Sequence, residues 1–132
     1  MITLKNIAEA TNQEIFNQVV EHAFQMKEQC GERDRNGDFA CKYRHGSNKC
    51  FAGALIADDE YYPDFESMLW GQLPIFEEGG ELENSHLKLF VQDLQYIHDF
   101  YNDSEDGDMH KYFDKEFREF ALNNELKYTS RF

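Results

Sequence analysis

Residues 41–61, CKYRHGSNKCFAGALIADDEY, decide how the rest of the chain is read. The stretch holds two of the three cysteines, the clearest turn, and the point where the charge pattern changes. Gly46, Ser47 and Asn48 are turn formers: glycine tolerates positive φ, and serine and asparagine bond back to their own backbone. Lys49 and Cys50 then lead into Phe51-Ala52-Gly53-Ala54-Leu55-Ile56-Ala57. That apolar run is too short to span a membrane and reads as buried backbone. Asp58, Asp59 and Glu60 end it abruptly. The expectation is a β-hairpin or tight loop feeding a short buried helix, whose far end emerges at an acidic surface.

Working outward, 132 residues suffice for one domain, residues 1–132, with a real core. At 41% hydrophobic and 15% aromatic, the chain buries enough surface to fold despite its charge. It shows no 18-residue apolar run and no leader-like start, which places it in a cytoplasm. Three cysteines are an odd number, as expected of reduced thiols rather than a closed disulfide framework.

The net charge of −13 is unevenly placed. Residues 1–57 hold seven acids and seven bases, whereas residues 58–108 hold fifteen acids and one base, Lys88. A field of that sign repels nucleic acid and anionic lipid and attracts basic protein surfaces. Direct nucleic-acid and membrane binding are therefore not expected. Charge runs are also commonly solvated faces that keep a protein soluble.

On either side of the deciding stretch the pattern is helical. Thr11 and Glu14 match a capping box, and Ile15, Phe16, Val19, Val20, Ala23 and Phe24 follow at helical spacing. A helix over residues 12–29 is expected, closed by Gly31, with His22 as a core histidine. Phe39, Cys41 and Tyr43 alternate with polar neighbours as in a half-buried strand. Pro63 opens a short helix over residues 64–70, and residues 77–83, EEGGELE, read as an acidic loop. Leu87, Phe90, Val91, Leu94, Ile97, His98 and Tyr101 form one apolar stripe, with Ser85 or Asn84 as cap and Asp93 and Asp99 on the outer face. A last helix, capped by Asp108, runs over residues 109–126 with Met109, Tyr112, Phe113, Phe117, Phe120 and Ala121 inward. The fold class expected is mainly α within α+β: three longer helices, one or two short ones and a small β-hairpin.

Several constellations bear on chemistry. Cys30, Cys41, His45 and Cys50 have the ligand types of tetrahedral zinc, the mark of a structural zinc module. No Cys-x2-Cys pair supports them, and cysteine is commonly a small buried hydrophobe. Asn102, Ser104 and Asp106 resemble half of a calcium loop, but Phe113 falls where a bidentate glutamate is required. Tyr43, Arg44 and Lys49, beside Gly46 and Gly53, offer a stacking ring and two cations to a nucleotide. There is no glycine-rich phosphate loop, GxSxG or HExxH, and no paired carboxylates in an apolar setting. No enzyme activity, metal or cofactor is expected.

Residues 4–22 (LKNIAEATNQEIFNQVVEH), 41–44 (CKYR), 49–61 (KCFAGALIADDEY) and 86–99 (HLKLFVQDLQYIHD) resemble a family of small proteins encoded by bacteriophages and prophages. The most specific pieces are Cys-x-Tyr-Arg and Lys-Cys-x-x-Gly-x-Leu-Ile-x-Asp; Cys30 and His45 lie outside them. The resemblance carries no activity to any residue. It implies a setting, the host bacterial cytoplasm, in which small acidic phage proteins occupy basic surfaces of host proteins, sometimes in place of DNA. The leading expectation is a binding protein that inhibits or redirects a host nucleic-acid-handling or defence protein. Its contact surface is Asp58, Asp59, Glu60, Asp64, Glu66, Glu77, Glu78, Glu81 and Glu83, with Trp70 as anchor. A nucleotide-binding or sequestering protein using Tyr43, Arg44 and Lys49 is the alternative.

Overall fold

The computed structural model describes all of residues 1–132. The fold is α+β and mainly helical. Its longer helices are α1 (Asn12–Gln25), α2 (Leu87–Asp99) and α4 (Met109–Asn123), with a single-turn α3 (Asp103–Asp106) between the last two. Two antiparallel pairs, β1 (Gly31–Arg33) with β2 (Phe39–Cys41) and β3 (Arg44–His45) with β4 (Asn48–Lys49), sit between α1 and the central loops. Residues 53–76 contribute four separate 3-10 turns.

The deciding stretch does form the centre of the core. Phe51, Ala52, Leu55 and Ile56 are buried. The Phe51 ring packs on Phe113 at 4.9 Å and on Phe117 at 5.6 Å, both from α4, and edge-on to His98 of α2 at 5.4 Å. Phe16 of α1 stacks on Phe120 at 5.7 Å, and Phe90 of α2 meets the same ring at 5.5 Å. One aromatic column thus ties the three helices together, each pair adding about 0.5–1.5 kcal/mol beyond its area. The run is a 3-10 turn (Gly53–Leu55) rather than a regular helix. Backbone approach fixes Gly53: a Cβ there would lie 2.2 Å from the Tyr43 carbonyl.

The starts of α1, where Thr11 and Glu14 form the capping box, and of α4, where Asp108 accepts from the Lys111 N–H, match the sequence; α4 ends at Asn123 rather than at residue 126. Ser85 Oγ accepts the Leu87 N–H ahead of α2. The end of α1 differs: the helix stops at Gln25, not Gln29. Met26 turns extended into the core, and Gln29 instead closes α2, its Nε2 donating to the carbonyls of His98 and Tyr101 at 2.7 and 3.1 Å. Gly31 is a strand residue with φ +153°, not a helix cap, and a Cβ there would sit 2.2 Å from the Ala40 carbonyl. The helix expected over residues 64–70 is a 3-10 turn, Pro63–Ser67, ended by extended Met68. Trp70–Gln72 and Pro74–Phe76 repeat the device, because Leu73 before Pro74 is held extended. No helix is long and apolar enough to cross a membrane.

Candidate functional site

The acidic stretch begins by being neutralised. Asp58 pairs with Arg44 at 2.7 Å and Lys49 at 3.6 Å, and Asp59 with Lys5 at 2.8 Å. These contacts hold the Asp58 and Asp59 carboxyls below the usual range, through hydrogen bonds from Arg44 and Lys5 respectively. Glu60 accepts from Thr3 Oγ1 and from the N–H groups of Leu4, Lys5 and Ala57, closing the N-terminal turn onto the core. Glu66 accepts from the N–H groups of Tyr43 and Arg44 at 2.9 and 3.1 Å and from Tyr61 Oη at 2.6 Å. Four of the expected contact carboxylates therefore have partners inside the chain.

Trp70, expected as the anchor of the contact surface, does not reach the surface. It is 1% exposed, its indole N–H donates to the Leu87 carbonyl at 3.0 Å, and its ring packs on Phe76 at 5.4 Å. The apolar turns around it pull it under α2.

Of the expected contact acids, those that stay exposed and outside any ion pair are Asp64 and the four glutamates of the 77–83 loop. The loop is held in place. Leu82 is buried and its N–H donates to the Ile75 carbonyl at 2.8 Å; Gly80 N–H donates to Glu77 and Gly79 N–H to the Glu83 carboxylate. The side-chain carboxylates of Glu77, Glu78 and Glu81 accept no hydrogen bond from the chain; it is the Glu77 backbone carbonyl that takes the Gly80 N–H.

Tyr43, Arg44 and Lys49 are drawn into structure. Tyr43 is buried and donates its hydroxyl to the Met68 carbonyl. Arg44 bonds the Ile56 carbonyl and Asp58 and lies 4.7 Å over the Tyr61 ring. Tyr43 and Lys49 border different cavities.

The zinc set does not converge. His45 faces Glu32 at 3.4 Å, and Cys30 and Cys50 are buried thiols. Cys41 is instead grouped with His98 and Asp99, their ligand atoms within 4.8 Å of one another. Burial pushes the Cys30 thiol up to about 12 and also raises Cys41 and Cys50, so none is an activated nucleophile. The calcium-like loop is spent on caps: Asn102 accepts from Ser104, Asp106 from Asn102, and Asp108 from Lys111. His22 is a half-buried histidine whose Nε2 meets the Lys49 carbonyl at 2.7 Å.

A cavity of about 200 Å³ opens between the 41–43 backbone, the Met68–Trp70 segment and α2. Gln92, Gln95 and Asp99 of α2 border it. Their spacing of three and four residues puts them on one helical face. Asp99 is a correction: it is half-buried, accepting from Gln95 Nε2 at 2.7 Å and His98 Nδ1 at 2.8 Å, not on the outer face. The polar stripe Gln92-Gln95-Asp99 beside the apolar one is the signal in the sequence, but what it faces depends on Gly71 and Ala52, 21 and 43 residues away.

This is a small α+β domain with a charged loop and a polar cavity. No family model matches the chain, and comparisons with curated proteins and with solved structures find no match.

Proposed function

We propose that the chain is a non-enzymatic acidic binding protein that docks on the basic surface of another protein and blocks or redirects it. In this reading the setting is that of the resemblance: phage-encoded, acting in the bacterial cytoplasm on a host nucleic-acid-handling or defence protein. One observation carries it. Glu77, Glu78, Glu81 and Glu83 stand exposed on one short, anchored loop, with no base of the chain paired to any of them. Four charges outside any ion pair steer a positive surface toward the loop, and three of them, Glu77, Glu78 and Glu81, have no internal hydrogen bond to give up for a lysine or arginine. Asp64 extends the same unpaired set, while Asp58, Asp59, Glu60 and Glu66 are assigned to holding the fold.

The test is capture from a host lysate at low and at high salt, comparing the native chain with the variant carrying E77K, E78K, E81K and E83K. The expected result is a basic partner retained at low salt, released at high salt, and lost from the reversed variant. A partner held equally by the variant sinks the proposal, as does recovery of none.

A further inference from the structure

Gln95 is fully committed within the chain: its Oε1 takes the Ala52 N–H at 2.6 Å and its Nε2 donates to Asp99 Oδ1. His98 donates to that same Oδ1, and no N–H or O–H group of the chain donates to Asp99 Oδ2; only the Cys41 thiol, a weak donor, lies beside the carboxylate. Gln92 is 8% exposed and borders the cavity. Its Oε1 accepts the Gly71 N–H at 3.3 Å, and its amide NH2 has no acceptor. A second carboxylate, Glu66, borders the same space. The one cation in the lining, Lys42, is drawn away to Glu32 at 2.8 Å.

Two carboxylates without a free cation, in a recess walled by Tyr43, Met68 and Trp70, set up a negative potential that low dielectric strengthens. The Cys41 thiol and the Tyr43 phenol report it: both are pushed up, chiefly by burial and further by Asp99. Anions are disfavoured there. A metal ion is disfavoured for a separate reason. His98 Nε2 accepts the Cys30 N–H at 3.0 Å, which assigns the ring proton to Nδ1, where it is donated to Asp99. Coordination through Nδ1 would require an imidazolate.

An organic cation meets every feature: Oδ2 as counter-ion, aromatic walls for cation–π contact, and the Gln92 amide for an acceptor atom. A cavity of about 150 Å³ admits benzene, so this one admits on the order of six to ten non-hydrogen atoms, well short of a nucleotide. We propose that the cavity between the 41–43 backbone, Met68–Trp70 and α2 binds a primary ammonium or guanidinium group, with Asp99 as its counter-ion. The cation is either a free small amine or a basic side chain on a peptide. The inference stands whether or not the 77–83 loop docks on a partner.

The test is nuclear magnetic resonance of the whole ¹⁵N-labelled chain, following the Gln92 and Gln95 side-chain amides and the Trp70 indole. n-Butylammonium is titrated against n-butanol, its neutral match in length. Saturable shifts are expected with the ammonium at an affinity at least about tenfold above the alcohol, and Asp99→Asn, which keeps an oxygen for His98 and Gln95, removes that advantage. If the variant does not fold, the comparison of ammonium with alcohol on the native chain decides alone. An acetylated peptide with one central lysine separates the sources: tighter binding than butylammonium assigns a protein side chain, equal or weaker binding a free amine. Equal binding of butanol, no saturable shift, or zinc moving these resonances where butylammonium does not would each overturn the proposal.

Discussion

Glu66 separates a carboxylate that holds the fold from one that faces a partner. Its two oxygens accept three hydrogen bonds, from Tyr43 N–H, Arg44 N–H and Tyr61 Oη. Glu66→Gln is nearly isosteric, but only one of its two terminal atoms accepts. If the amide oxygen serves Tyr43, the NH2 group faces the N–H of Arg44 and the hydroxyl of Tyr61, donor against donor. Hydrogen bonds to a charged group contribute about 1.5–3 kcal/mol each. Tyr61 can rotate its hydroxyl away and recover part of the loss, whereas the backbone N–H of Arg44 is fixed. The expected destabilisation is about 3 kcal/mol, a fall in Tm of roughly 10 °C for a domain of this size. Glu77→Gln, Glu78→Gln and Glu81→Gln, on carboxylates without internal partners, should each stay within about 0.5 kcal/mol of the native chain. Urea unfolding of the four variants checks this, with the slope against denaturant unchanged so that midpoints compare directly. If Glu66→Gln unfolds at the native midpoint, or the loop variants fall as far as it does, the division between structural and free carboxylates is refuted.

Two further outcomes follow from the core and the hairpin. Asp114 is 3% exposed; burial alone would push its carboxyl up, but bonds from Tyr128, Ser130 and the Arg131 N–H outweigh it and hold the group below the ordinary 3.8. A depressed carboxyl stabilises the fold above its unfolded value and loses that contribution as pH falls through the folded one. The stability gap between the native chain and Asp114→Asn should therefore be full at neutral pH and shrink below about pH 4, as read from unfolding curves across pH. Gly31→Ala meets both the positive φ and the Ala40 carbonyl, so it should cost more than about 2 kcal/mol and loosen amide-exchange protection in the β1–β2 pair.

Much of the fold was legible because it is local. A capping box, a three-four apolar spacing and an aspartate before Met109 each act within one or two turns, so α1, α2 and α4 can be read from neighbours in sequence. The charge-free run 51–57 was legible as core for the same reason: it holds no charged or polar side chain, and Phe51, Leu55 and Ile56 go inside. The end of α1 was not, because Gln29 is taken by the carbonyls of His98 and Tyr101, at and just past the end of α2 about 70 residues later, a competition that helical spacing cannot reveal. Nor was Trp70, whose burial depends on α2 closing over the 3-10 turns.

The site divides along the same line. Sequence by itself determined the sign, amount and rough location of the charge, since ionisation is a property of each side chain. Only the tertiary structure decided which charges are free, because pairing is a matter of distance. Asp58 and Asp59 meet bases from the first half of the chain, Glu60 and Glu66 are absorbed as caps, and the 77–83 loop forms no ion pair. The cavity is wholly tertiary: Asp99 looks like a surface acid along the helix, and becomes a counter-ion in search of a cation only when β2, Trp70 and α2 enclose it.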